Sequence, residues 1–197
     1  MTAKATRVPL VRALTVRAAL GELAALPPSI QEPILMRLPD DVRRVDEKVG
    51  VAWVPLALNM AISDAALEVM GPPAFRRFAR DITLAFLKRP LLSTLVEASL
   101  RLFGIQSQSI LRWAPRAWEA LFQHCGSLEF EASSTARESR LRLHDFPREA
   151  LASGSFVIGL AASFDAAFVV TKTTGQVEIL SSNVATGEAA FRVRHYR

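Results

Sequence analysis

Residue types that build catalytic and metal centres are scarce in this sequence. It has one cysteine, Cys125, which excludes a disulfide framework within the chain and any zinc site made of several cysteines. Its three histidines, His124, His144 and His195, lack the spacing of a helical metal motif. No apolar run reaches the ~18 residues that a transmembrane helix needs. We therefore expect no transmembrane segment and a cytoplasmic protein.

The composition is apolar and basic at the same time. The chain has 197 residues, of which 50% are hydrophobic and 22% are charged, and its net charge is +5. These values exclude an intrinsically disordered chain and fit one ordinary domain, which we expect over residues 1–197. The basic stretch at residues 1–21 fits either a helix of that domain or a targeting or docking tail.

The apolar residues of the N-terminal part, about 8–125, recur with the period of a helix. Prolines and Gly71 divide this part, because proline interrupts a helix or begins one, and glycine often ends one. The clearest stripe is formed by Phe75, Phe78 and Phe86, with arginines opposite. The predicted helices are 10–26, 29–37, 40–49, 51–70, 74–88, 91–103 and 115–125.

After Gly126 apolar and polar residues alternate, which is typical of half-buried strands. Two such runs, around Leu128 and Leu141, predict a hairpin. A helix over 147–165 follows, and strands at Phe168–Thr171, Val177–Leu180 and Ala190–Val193 end the chain. The sequence therefore predicts an α+β fold. Its N-terminal helical half packs with a small, mainly antiparallel sheet, in the order helices then β-β-α-β-β-β, the latter over about 126–197.

Catalytic motifs are missing from the sequence. It contains neither a Gly-x-Ser-x-Gly nucleophile elbow nor a complete phosphate-binding loop. Cys125 follows His124 directly, but neighbouring residues of a helix do not face each other. Cys125 also shares an apolar stripe with Trp118 and Phe122, so we interpret it as a core thiol. The alternative is a cysteine that is acylated or lines a lipid pocket. We expect no enzymatic activity.

Arginines form the most prominent polar clusters. Arg76 and Arg80 lie one helical turn apart, on the face opposite the phenylalanines, and Arg43 and Arg44 form a second group. These four residues are candidates for binding an anion or an acidic partner; the alternative is an ordinary solvated face. A third group of arginines lies on the predicted strands. We do not expect nucleic-acid binding, because the aromatic residues fall on apolar stripes rather than among the basic side chains.

The order of elements resembles the superfamily of haem-nitric-oxide-binding domains, vinyl-four-reductase domains and TRAPP trafficking subunits. Within it, the sequence is similar to an uncharacterised myxobacterial paralogous family of about this length. The resemblance covers Asp64 to Tyr196. It is carried by the runs 65–71 (AALEVMG), 115–126 (PRAWEALFQHCG) and 155–159 (SFVIG). It implies an α+β domain that binds a ligand or a protein and is often dimeric.

The resemblance also bears on cofactors. Haem binders of this superfamily use a Tyr-x-Ser-x-Arg motif on the haem propionates and a histidine on a helix. The single tyrosine here is Tyr196, followed only by Arg197, so that motif is missing. Clustered cysteines, frequent in vinyl-four-reductase domains, are missing too. We therefore expect no cofactor, haem included.

Resemblance and apolar excess together favour a non-enzymatic ligand-binding or adaptor domain of the sensor or signalling type. We expect it to bind a small apolar ligand or a protein partner, as a homodimer. The candidate pocket residues are Trp53, Trp113, Trp118, Phe122 and Cys125. The alternative function is a structural interaction module that docks acidic partners through its arginine clusters.

Overall fold

The computed structural model describes residues 7–47, 51–87, 107–133 and 137–196. A small antiparallel sheet ties the N-terminus to the middle of the chain. Its strands are β1 (Leu10–Arg12), β2 (Trp53–Pro55) and β3 (Phe122–Gln123), in the order β2-β1-β3. The prediction of a helix from residue 10 is wrong for these first three residues, because Arg12 pairs with Trp53 and Val11 with Phe122.

Four helices follow β1 in the first part of the chain. They are α1 (Ala13–Ala24), α2 (Pro28–Arg37), α3 (Asp40–Arg43), which continues as a 3-10 turn over Arg44–Glu47, and α4 (Leu56–Leu87). The predictions 51–70 and 74–88 correspond to the two segments of α4, which meet at a kink, but the first is wrong for Trp53–Pro55, which form β2. Gly71 makes that kink with φ 71°, and Pro72 and Pro73 begin the second segment. The predicted helix 91–103 lies outside the described residues.

Two short helices, α5 (Ser107–Leu111) and α6 (Ala114–Leu121), lead to the second sheet. The predicted helix 115–125 ends early, because Phe122 and Gln123 pair with β1 instead. His124 and Gly126 then turn the chain with φ values of 59° and 67°. A side chain at 126 would bring a Cβ within 1.8 Å of the His144 carbonyl oxygen, so this turn requires glycine.

The second sheet has four antiparallel strands, in the order β4-β5-β7-β6. The predicted hairpin is confirmed as β4 (Ser127–Ala132) and β5 (Glu138–His144). Two helices separate it from the last hairpin. These elements are α7 (Arg148–Ala152), α8 (Ser155–Thr171), β6 (Thr174–Asn183) and β7 (Glu188–Tyr196).

The prediction of a strand at Phe168–Thr171 is wrong, because these residues form the last turn of α8. The β-branched residues Val169, Val170 and Thr171 favoured a strand. However, Phe164, Phe168 and Thr171 are buried at helical spacing, and the Thr171 hydroxyl donates to the Ala167 carbonyl at 2.7 Å. The chain leaves the helix only at Lys172, in a left-handed conformation.

Helix α8 lies between α4 on one side and the second sheet on the other. Its alanines Ala161, Ala162 and Ala166 are completely buried, which lets the neighbouring elements approach closely. The core extends from Val11 to Val193 and joins both parts of the chain. The predicted fold class, α+β with an N-terminal helical half and an antiparallel sheet, is confirmed. Within the described ranges, every helix is too short or too polar to cross a lipid bilayer.

Candidate functional site

Arg76 links three elements beside the core. Its Nε donates to Asp165 Oδ2 on α8 at 2.8 Å, and its Nη2 donates to the Val177 carbonyl oxygen on β6 at 2.6 Å. The two side chains of this ion pair are 33% and 21% exposed, so they are only partly screened by water. The helix places Arg76 there because its neighbour Phe75 points into the core.

Arg80 lies one turn further along α4, and its contact with a carboxylate is longer than that of Arg76. Its Nε is 3.4 Å from Oδ1 of Asp81, the next residue of the same helix. Together Arg76 and Arg80 form one wall of an open cleft of about 400 Å³ between α4, α8 and β6. The other lining residues are Asp165, Phe168, Val169, Gly175 and Gln176. We refer to this site as the arginine cleft.

The arginine cleft depends on a close approach of β6 to α8. At Gly175 an added Cβ would lie 2.1 Å from the ring of Phe168 and 2.5 Å from the carbonyl oxygen of Arg194. Since real Cβ atoms do not make such contacts, any other residue at 175 would displace the Phe168 ring or the Arg194 backbone. The sequence alone does not reveal this role of Gly175, because Phe168 and Arg194 come close to it only when β6 packs against α8 and β7.

The second predicted arginine pair lies elsewhere. Arg43 ends α3 and donates from Nη2 to the Leu35 carbonyl oxygen at 3.0 Å. Arg44 follows it and is 3.8 Å from Asp41, with both side chains largely exposed. The structure therefore brings Arg76 and Arg80 together with Asp165, but it does not bring Arg43 and Arg44 to the same cleft. Sequence reasoning missed Asp165, because it is 89 residues from Arg76.

The five residues predicted to line an apolar pocket lie in different surroundings. Trp118 is buried and stacks on Phe122 with ring centroids 4.2 Å apart. Trp53 lies under the guanidinium of Arg12, at 3.9 Å. Trp113 is 39% exposed and lies under the guanidinium of Arg116. Trp118 and Phe122 thus share one aromatic cluster, whereas Trp53 and Trp113 have cationic partners. Their pocket role stays a prediction.

Cys125 is buried, as expected of a core thiol. Its Sγ donates to the carbonyl oxygens of Gln123 at 3.3 Å and Leu10 at 3.5 Å. Burial, only partly offset by these two contacts, raises the pKa of the Cys125 thiol to about 11. The thiol is therefore protonated at neutral pH, which makes it a poor nucleophile and a poor metal ligand.

His195 makes a buried polar contact that sequence reasoning did not find. Its Nδ1 is 2.8 Å from the Ser107 hydroxyl and its Nε2 is 3.2 Å from the Ser139 hydroxyl. Both serines are almost fully buried, and burial lowers the pKa of His195. The neutral ring joins α5 to strands β5 and β7. Among the described residues, no group of three or more His, Cys, Asp or Glu side chains could hold a metal ion.

Comparison with known proteins gives a likeness in structure only. No family model matches the chain. No curated protein matches it in sequence. An oxygen-binding H-NOX domain related to soluble guanylate cyclases is similar at a TM-score of 0.62 with 11% identity, covering 94% of this chain and 95% of that one. An Fe(II) unliganded H-NOX protein from K. algicida is similar at a TM-score of 0.59 with 7% identity, covering 94% and 97%.

The prediction that this chain has no cofactor, haem included, is contradicted by the haem proteins among the structures that share its fold. A third similar structure, with a TM-score of 0.61 and 11% identity over 94% of this chain and 95% of that one, comes from a study of haem distortion in the H-NOX family. A further one concerns haem redox potential and porphyrin distortion. The chain therefore has the same fold as haem proteins although it lacks the Tyr-x-Ser-x-Arg motif.

The side chains that could bind haem iron are placed differently from what the resemblance implies, which is a histidine on a helix. All three histidines lie in the described ranges, and none is on a helix: His124 is in a turn, while His144 and His195 are on strands. Both ring nitrogens of His195 already contact serine hydroxyls, and the thiol of Cys125 is protonated. In this arrangement His195 and Cys125 are therefore not available as axial haem ligands, and His144 lies beside Glu129 and Glu188. What the comparisons establish is the fold, and this chain has the fold of the H-NOX domains.

Proposed function

We propose that this chain is a non-enzymatic sensor domain that binds a ligand within the H-NOX fold. The observation that carries this proposal is the likeness to H-NOX domains over 94% of the chain. The similar structures include the oxygen complex of an H-NOX domain and one from a study of haem distortion, so haem is the first ligand class to test. Membership of the myxobacterial paralogous family remains a prediction.

The arrangement of elements supports a sensing role. Helix α8 contacts α4 on one side and β6 on the other, so a displacement of one neighbour changes the packing of the other. Ser163 on α8 accepts a hydrogen bond from Thr83 on α4 at 2.9 Å, and Arg76 joins α4 to both α8 and β6. These contacts would carry a ligand-induced shift from the helical half to the sheet.

The test is native mass spectrometry and absorption spectroscopy of the purified chain, before and after incubation with haemin. We expect one small molecule per chain, either co-purified or taken up as haem. His195→Gln then tests whether an imidazole from the core side of the sheet contacts haem, with His144→Gln on the opposite face as the matched control. A chain that carries no ligand before incubation and takes up no haem afterwards would contradict the proposal.

The predicted homodimer and protein partner are proposals of the same kind. Native mass spectra report the oligomeric state in the same experiment, so a dimer is expected as twice the chain mass. A monomer at all concentrations would overturn the dimer prediction and leave the sensor proposal standing. Cytoplasmic location likewise stays a prediction.

A further inference from the structure

We propose that the arginine cleft binds a small organic carboxylate with an apolar body. This inference goes beyond the sensor proposal, since it rests on the cleft alone and holds whether or not the fold takes up haem. The cleft is about 400 Å³ in volume, within the range of small-molecule sites, and it opens to solvent. Its lining combines guanidinium groups with exposed apolar surface.

The first argument is that the guanidinium groups of Arg76 and Arg80 differ in how many strong hydrogen bonds they make within the chain. Arg76 is held by Asp165 and by the Val177 carbonyl, so its position is fixed. Within the part of the chain that the structure describes, Arg80 contacts only the Asp81 carboxylate, at 3.4 Å and 3.5 Å. Charge-assisted hydrogen bonds of full strength are ~2.7–2.9 Å long, and a guanidinium has five N–H donors. Arg80 therefore retains donors for a carboxylate ligand.

The second argument is the local charge. Among the side chains that line the cleft, Arg76 and Arg80 are positive and Asp165 is negative. Two positive and one negative side chain leave a net charge of +1, which favours a monoanion over a neutral ligand or a dianion. A carboxylate also matches the planar fork of a guanidinium in two parallel hydrogen bonds.

The third argument is the apolar part of the cleft. Val169 is 47% exposed although it lies on the most apolar of the described helices. The ring of Phe168 also lines the cleft and lies so close to Gly175 that a Cβ there would collide with it. An alkyl or aryl group attached to the carboxylate would cover Val169, while the Gln176 amide offers a neutral polar contact. This combination selects an organic acid over inorganic phosphate.

The test is calorimetric or NMR titration of the full chain with hexanoate, with hexanol and inorganic phosphate as comparison probes. Saturable hexanoate binding is expected, with a Kd on the order of 1 mM for a ligand of this size. Hexanol and phosphate should bind more weakly, because one lacks the charge and the other lacks the apolar body. Hexanol or phosphate binding as tightly as hexanoate, or no saturable hexanoate binding, would overturn the proposal.

Variants of neighbouring residues locate the contact. Arg80→Gln should weaken hexanoate binding about tenfold, the effect of losing one charge-assisted contact. Arg77→Gln changes the same residue type on the exposed side of the same helix and should bind nearly as the parent does. Asp165→Asn frees Arg76 and should bind more tightly. Equal loss in Arg80→Gln and Arg77→Gln would reject the cleft as the site. The haemin titration is independent, so the two proposals fail separately.

Discussion

The two faces of the four-stranded sheet are built by alternate residues of the same strands, yet they differ in burial and in charge. On the inner face Ala189, Phe191 and Val193 are at most 2% exposed and pack in the core. The outer face carries charged side chains that pair across strands, as in Arg142 with Glu131 at 3.1 Å and Arg194 with Glu178 at 2.9 Å. The inner face therefore contributes to the core, and the outer face is polar and partly in contact with water.

This comparison explains why the number of arginines is a poor guide to a binding site. The strand arginines formed one of the clusters in the sequence, but on the outer face each has a glutamate within 4 Å. Those arginines are Arg140, Arg142, Arg192 and Arg194. Arg80 is also 3.4 Å from a carboxylate, that of Asp81 on its own helix, but it differs because it lines an open cleft. Position beside a cleft, which only the structure reveals, decides which arginines can meet a ligand.

The largest change in the free energy of unfolding is expected on β7, where two adjacent residues lie on opposite faces of the sheet. Phe191 is completely buried, and its ring meets the ring of Phe164 edge to face at 5.3 Å. Phe191→Ala should lower the free energy of unfolding by about 3–5 kcal/mol, because it removes a buried ring and leaves a cavity. Urea denaturation monitored by circular dichroism measures the change.

The matched control is Arg192→Ala, one residue further on the outer face. Arg192 lies 3.4 Å from Glu138 and 3.5 Å from Glu178, with its side chain 27% exposed. Pairs of this kind contribute on the order of 1 kcal/mol or less. Equal losses in the two variants would mean that the faces do not differ as described.

A smaller effect is expected at the edge of the inner face, where β6 meets α8. Gly175→Ala should destabilise the chain by about 1–3 kcal/mol, since the new methyl group displaces the Phe168 ring or the Arg194 backbone. Gly21→Ala is the control of opposite sign. Gly21 lies inside α1 with nothing within 4 Å of an added Cβ, so alanine should stabilise that helix by about 0.5–1 kcal/mol. Thermal unfolding distinguishes the two outcomes, and an unchanged Gly175→Ala would refute the close approach.

Periodicity predicted the parts of this fold that depend on local patterns. The hairpin β4–β5 alternates strictly, and the phenylalanine stripe of α4 has helical spacing, so both were found from sequence. The end of α8 was missed because β-branched residues and helical burial gave opposite indications at Val169 and Thr171. Strands β1 and β3 were missed since two or three residues carry no periodic signal, and only pairing defines them.

The candidate site was predictable only in part, for the same reason. Helical spacing placed Arg76 and Arg80 on one side of α4, away from the phenylalanines. Nothing in the sequence connects them to Asp165 or Gly175, because those contacts arise when α8 and β6 pack on α4. The His195 contacts with Ser107 and Ser139 join residues 88 and 56 positions apart, and no spacing rule predicts them.

The smallest expected effect is a pH dependence that belongs to the inner face alone. Burial lowers the pKa of His195 in the folded chain, whereas in the unfolded chain the ring has a pKa of about 6.5. The unfolded state therefore takes up a proton first, and the free energy of unfolding should fall as the pH drops below about 6.5. His195→Gln removes the titrating ring and should reduce this slope between about pH 7.5 and 5.5, the range in which histidine titrates. The control is His144→Gln, whose imidazole lies on the outer face beside Glu129 and Glu188. A slope in His195→Gln as steep as in the parent would assign the pH dependence to other groups.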